Sequence, residues 1–313
     1  GRWPGSDNRL VQGASVVATA VKLADCAPLP EELHWAAYFD FDAHPFAHEA
    51  LLRGTANVVD AVATIKAYTQ THSAKIASAV AESARHALDA LEGAAWAHGA
   101  GATPGRVFGS ATGDHGLVVA EGARCYGDVS LVDGSVIIGE GTVVEPGAIL
   151  QGPLVVGKNC TIRSGAYLRA PCLIGDGCTL RGELKNVAMM DNSSFPHPSY
   201  LGDSICGYLS HFGNQATAAN FGIFNGMLAR SEQRNVQLVL GELKIDLGTR
   251  KLGVILGDYS QVGCNSVTDP ATFLRPRTIV YALSRVSAGI YGPNEILKNK
   301  PLEHGIIERA PLT

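Results

Sequence analysis

Charged side chains are scarce in this sequence: Asp, Glu, Lys and Arg make up 17% of 313 residues, against roughly 25% in ordinary soluble domains. The balance is slightly acidic, a formal net charge of -4, so there is no basic footprint for nucleic acid or an anionic membrane surface. No apolar run approaches the ~20 residues that a membrane-spanning helix needs. The opening Gly1-Arg2-Trp3-Pro4-Gly5-Ser6 lacks an apolar signal core. A cytoplasmic protein is expected, although the chain does not begin with Met and leaves room for an upstream targeting segment. CxxC pairs are also missing, and seven cysteines are an odd number for a disulfide framework, which favours a reducing compartment. Apolar residues (46%) and glycine (36 residues) are plentiful. That combination excludes a disordered chain, and the absence of a strict glycine triplet excludes collagen. The length suggests about two domains.

Residues 1–105 read as a helical N-terminal domain ending in a linker. Leu51, Leu52, Val58, Val59, Val62 and Ile65 recur at steps of three and four between Phe46 and His72, which sets them on one helical face. A second helix is expected from about Ser73 to Trp96, burying Ile76, Val80, Leu88 and Leu91, so that the two form a hairpin. The run His98-Gly99-Ala100-Gly101-Ala102-Thr103-Pro104-Gly105 is rich in breakers.

The period then changes. Ile138, Val144, Leu150, Val156, Ile162, Leu168, Ile174 and Leu180 fall at intervals of six, and four residues after each of the first seven come Thr142, Ala148, Leu154, Cys160, Ala166, Cys172 and Cys178. The period returns as Leu256, Val262, Thr268, Leu274, Val280 and Val286. Short strands joined by tight turns, each sending one aliphatic side chain inward, produce this spacing, with three strands closing a coil of eighteen residues. Stacked coils about 4.8 Å apart pile equivalent side chains into ladders. This hexapeptide pattern predicts a mainly β protein: a left-handed parallel β-helix over residues 106–290, preceded by the small α-helical domain and followed by a tail, 291–313. Cys160, Cys172 and Cys178 then become small core residues rather than metal ligands.

Between Leu180 and Leu256 the six-residue rule weakens and polar groups concentrate, as expected where a scaffold yields to function. Glu183-Leu184-Lys185-Asn186, then His197-Pro198-Ser199-Tyr200-Leu201-Gly202-Asp203, then Asn220-Phe221 resemble the acetyltransferase half of the bifunctional UDP-N-acetylglucosamine pyrophosphorylase/glucosamine-1-phosphate acetyltransferases. The family's nucleotidyl-transfer domain is not recognisable here. The resemblance implies a homotrimer, acetyl-CoA as co-substrate, and N-acetylation of a hexosamine 1-phosphate with no metal and no membrane partner. It makes His197 the catalytic base, a role that suits imidazole because it titrates near neutrality while an amino sugar must lose a proton before attack. Arg169 and Lys185 become phosphate contacts, which need charge-assisted donors. Tyr200 and Asn220 become substrate contacts, and Lys251 a cofactor contact in place of a lost lysine.

The pattern also departs from the family. His211 stands where an asparagine is usual, Asn214 and Gln215 replace a small-residue turn, Phe221 replaces a common tyrosine, and Gly226 replaces a lysine. The polar stretch from Ser231 to Asp246 is an insertion. The alternative reading is therefore a sugar-phosphate-binding or scaffold protein with altered or lost catalysis. Three-histidine zinc chemistry is disfavoured by the missing His-x4-His element, and no GxSxG supports a serine hydrolase.

Overall fold

The computed structural model describes residues 20–79, 85–86, 105–108, 116–299 and 307–311. It is mostly β, a parallel solenoid of about ten turns consistent with a left-handed β-helix. Every six-residue position from Ile138 to Leu180 and from Leu256 to Val286 is at most 1% exposed. Pairing joins residues eighteen apart: Ile138 with Val156 and Val156 with Ile174, Val144 with Ile162 and Ile162 with Leu180, Leu150 with Leu168. Cys160, Cys172 and Cys178 are buried within this core as free thiols.

The coils continue where the six-residue phase fails. Leu180 pairs with Phe195, Ser194 with His211, and Phe212 with Val262. The lost periodicity therefore records shortened coils and one long excursion after Thr217–Ala218, while the stack itself is unbroken. The excursion carries an antiparallel hairpin, Gln237–Leu240 with Leu243–Asp246, to which Ala20–Lys22 adds in parallel. Solenoid pairing runs on through Glu295–Asn299, which Ile307–Pro311 joins antiparallel.

One outer face is not open to solvent. Val118, Ile137, Val155, Leu173, Ala188, Ile205, Ile255, Phe273 and Ile290 form a continuous outward ladder. With the apolar residues of the N-terminal segment they make a second core, including Leu51, Leu52, Val58, Val62 and Ile65. On this face the strands are apolar at three consecutive positions, as in Val136–Ile138, Leu154–Val156 and Val254–Leu256. Such runs are the mark of parallel strands buried on both sides.

The covering segment differs from the expected hairpin. Helix α1 is Ala50–Arg53 and helix α2 is Val58–Ala79, so the break falls at Gly54 to Asn57 and not near Ser73. At Gly54, the C-cap of α1, a Cβ would meet the Ala50 carbonyl oxygen at 2.8 Å, and Asn57 caps α2, its Oδ1 accepting from the Asp60 amide at 2.9 Å. Nothing interrupts the chain at Ser73, whose hydroxyl donates back to Gln70 within the helix. Arg85–His86 is a strand paired with Leu117 and Val118, not helix. The remaining expectations for 80–104, including Val80, Leu88 and Leu91, lie outside the described residues. Among those described, no helix is long and apolar enough to cross a membrane.

Candidate functional site

Strands Tyr167–Ile174, Glu183–Met189 and Tyr200–Cys206 are neighbours in parallel register. Leu168, Leu184 and Leu201 point inward and are fully buried, so the residues flanking them alternate outward. Two outward rows result: Tyr167, Glu183 and Tyr200, then Arg169, Lys185 and Gly202. The next corner is shortened. Ala170-Pro171 of the first coil gives way to a single residue in the coils above, Asn186 at φ 57° and Asp203 at φ 50°. Asn and Asp tolerate this left-handed conformation better than most side chains, and it stacks their side chains together.

Asp203 is the hub. It is 5% exposed, and its carboxylate accepts from Lys185 Nζ at 3.1 Å, from Asn186 Nδ2 at 2.9 Å and from Asn220 Nδ2. Asn220 also donates to the Tyr200 hydroxyl at 2.9 Å, which leaves the phenolic proton free to be donated outward. Burial, reinforced by the Asp203 charge, pushes the Tyr200 hydroxyl above the usual phenol range, so it stays protonated. Gly202 makes room for this arrangement, because a Cβ there would collide with the Tyr200 ring and the Asn220 amide. Arg169 lies beside them, half-exposed and paired with Glu183 at 2.8 Å. Arg169, Lys185, Tyr200 and Asn220 are thus brought onto one surface. Asp203 stood in the motif without an assigned role, and its neighbour Asn186 was equally visible one coil earlier; what the sequence hid was the shortened corner that stacks them.

His197 stands apart from this array. Among the described residues its ring makes no hydrogen bond, and its resolved electrostatic neighbour is His211. His211 lies on the next coil, with Nδ1 2.7 Å from the Ser194 hydroxyl. Burial, with a smaller contribution from His197, holds the His211 imidazole below its ordinary range and hence neutral at pH 7. The two imidazoles therefore neighbour each other on adjacent coils.

On the other side of Asp203 lies a cavity of about 370 Å³. Its floor includes Asn186 and Asp203, and its walls come from Lys22 to Ala24, the first turn of α2, and the returning end of the insertion, including Asp246 and Lys251. The insertion walls this space and does not fill it. Its two ends are drawn together by a bridge between Phe221 and Lys251 and by the Leu252 amide donating to Asn220 at 3.0 Å. The Lys251 ammonium lies 5.6 Å from the Phe221 ring centroid. No group of three or more potential metal ligands occurs among the described residues.

Residues 135–170 match the family model described as bacterial transferase hexapeptide (six repeats). Over 99 residues the chain is 28% identical to a bifunctional sugar-1-phosphate nucleotidylyltransferase/acetyltransferase of Sulfurisphaera tokodaii, covering 32% of this chain and 23% of that protein. Over 81 residues it is 35% identical to the bifunctional protein GlmU of Methanocaldococcus jannaschii, covering 26% of this chain and 18% of that protein. The matches thus span about a fifth of the length of these relatives. Among solved structures, a mutant of AntD, an N-acyltransferase from Bacillus cereus in complex with dTDP and coenzyme A, aligns with 55% of this chain and 81% of its own at 14% identity and a TM-score of 0.28. The polysialic acid O-acetyltransferase OatWY aligns with 62% of this chain and 83% of its own at 12% identity and a TM-score of 0.25. The chain carries transferase hexapeptide repeats and is similar, over about a third of its length or less, to a bifunctional sugar-1-phosphate nucleotidylyltransferase/acetyltransferase and to a bifunctional GlmU protein.

Proposed function

We propose that this protein transfers an acetyl group from acetyl-CoA to the amine of a hexosamine 1-phosphate. The observation that carries the reading is the array around Asp203, which gathers two cations, a protonated hydroxyl and a carboxamide on adjacent coils. The transferase repeats and the likeness to a bifunctional sugar-1-phosphate nucleotidylyltransferase/acetyltransferase support it. In this mechanism Arg169 and Lys185 exchange their carboxylate partners for the substrate phosphate. Tyr200 donates its free proton to the substrate, and Asn220 keeps that hydroxyl oriented. His197 takes a proton from the ammonium, and the freed lone pair attacks the thioester carbon. The C–S bond breaks as the N–C bond forms, the acylated nitrogen loses its second proton to give the neutral amide, and the departing thiolate of coenzyme A takes up that proton.

The test is thiol release from acetyl-CoA with glucosamine 1-phosphate or galactosamine 1-phosphate as acceptor. Turnover is expected, with a loss of about a hundredfold or more in His197→Ala. Turnover untouched by that substitution refutes the assigned base. The ion pairs that already occupy Arg169 and Lys185 favour a second reading, a binding or scaffold protein on the same fold; binding of the sugar phosphate without turnover selects it. Either reading carries an expected homotrimer, for which exposed Ile223, Phe224 and Met227 beside Asn220 offer apolar contact surface. A monomeric mass by light scattering refutes it.

A further inference from the structure

The cavity behind Asp203 takes no part in the transfer step above, yet it is built as a binding site. Its volume of about 370 Å³ falls in the range of small-molecule pockets and fits a monosaccharide carrying one phosphate. Its lining is drawn from separate parts of the chain: the strand Ala20–Lys22, the first turn of α2, the solenoid corner and the neck of the insertion. Two of its polar members, Asn57 and Asp203, are 4% and 5% exposed.

The charges around this space do not satisfy one another. Lys22, Lys251, Asp60 and Asp246 all line it, and none of them forms an ion pair among the described residues. This holds even for Lys22 and Asp246, which are register partners on adjacent strands. One Asp60 oxygen accepts from Asn57 Nδ2 at 2.8 Å and one Asp246 oxygen accepts from the Gly248 amide at 2.9 Å, so each carboxylate keeps a free oxygen. Asp203, by contrast, is fully engaged by Lys185, Asn186 and Asn220.

Lys22, Asp60 and Lys251 are exposed and Asp246 is half-buried; a ligand of one sign entering here would be repelled by half of these groups, and a neutral ligand would pair with none of them. A small molecule bearing both signs compensates both. We propose that this cavity is a second binding site, for a phosphorylated amino sugar in its zwitterionic form. The phosphate lies with Lys22 and Lys251, and the ammonium with Asp60. Sugar hydroxyls meet the amides of Asn186 and Asn235 and the hydroxyl of Thr249, all part of the lining. The volume favours a sugar over an amino acid, which shares the charge pattern but leaves much of the space to water.

Isothermal titration of the full chain without acyl donor tests this. The probes are glucosamine 6-phosphate, glucose 6-phosphate, glucosamine and L-glutamine. The zwitterionic sugar phosphate is expected to bind at least tenfold more tightly than each of the others. Asp60→Asn and Lys251→Met are each expected to weaken it at least tenfold, with unchanged thermal unfolding as the folding control. Lys22→Met is a further variant should either of those fail to fold. Glucose 6-phosphate binding as tightly overturns ammonium recognition. Preference for L-glutamine overturns the sugar assignment. Affinity held within twofold in all the pocket variants overturns the site. Acetyl transfer is not measured in this experiment, so its presence or absence bears only on the proposed function.

Discussion

Two outer faces of the solenoid use the same backbone and have opposite fates. On the face beneath the N-terminal segment, outward residues are apolar in nine successive strands, from Val118 to Ile290, and nearly all are buried. On the face of strands such as Val143–Val144, Thr161–Ile162 and Ser194–Phe195, only every second residue is buried. Coil geometry therefore does not decide what an outward position requires; the partner does. The helical segment is an integral layer of the fold, since removing it would expose a continuous apolar ladder.

The largest effect should come from placing a charge under that layer. Leu173 is fully buried between the coil and α2, so Leu173→Asp should cost about 4 kcal/mol or more. Thr179→Asp, on the open face, should stay within about 0.5 kcal/mol. Urea midpoints of the two variants measure the contrast, and similar shifts would erase the distinction between the faces.

Acid should also act on the covered layer. Burial and the nearby His72 hold His48 down at about 4, against an ordinary 6.5, so the unfolded chain binds that proton more readily. The resulting stability is full above pH 6.5 and is lost as pH falls toward 4, by up to about 3 kcal/mol. His48→Gln should flatten the dependence of the urea midpoint on pH between 7 and 4.

Loss of the α2 cap in Asn57→Ala should cost about 1 kcal/mol, read as a lower melting temperature. The smallest effect has the opposite sign. Thr268 occupies an inward repeat position, and its hydroxyl is buried without a hydrogen-bond partner among the described residues. Thr268→Val should therefore raise stability by about 0.5–1 kcal/mol; a loss of that size would mean that the hydroxyl is satisfied in solution.

The inner ladders were legible because each strand sends one large side chain inward at fixed spacing, as Ile138 through Leu180 do. The covered face was equally written, in apolar triplets such as Leu154-Val155-Val156 recurring every eighteen residues, but a period sought one residue at a time passes over it. The helix break was misplaced for a different reason. Leu51, Leu52, Val58 and Val59 keep a helical spacing across Gly54, so periodicity alone hid a break that the glycine and the Asn57 cap impose. At the candidate site the residue types were readable and their connection was not. Asp203 meets Lys185, Asn186 and Asn220 only because the corner between two coils is shortened to one residue. The cavity was out of reach from local pattern, since it joins Lys22, Asp60 and Lys251 from distant stretches of chain.

Helix α2 also changes how this molecule should come apart. Coils in a solenoid touch only their neighbours, which lets such proteins unravel piecemeal from an end. Here one helix lies across five successive coils, from Val136–Ile138 to Tyr200–Cys206, and Asn186 reaches from the corner to the Val62 carbonyl. The coils under the helix, which include those carrying the Asp203 array, should therefore open as a single cooperative block.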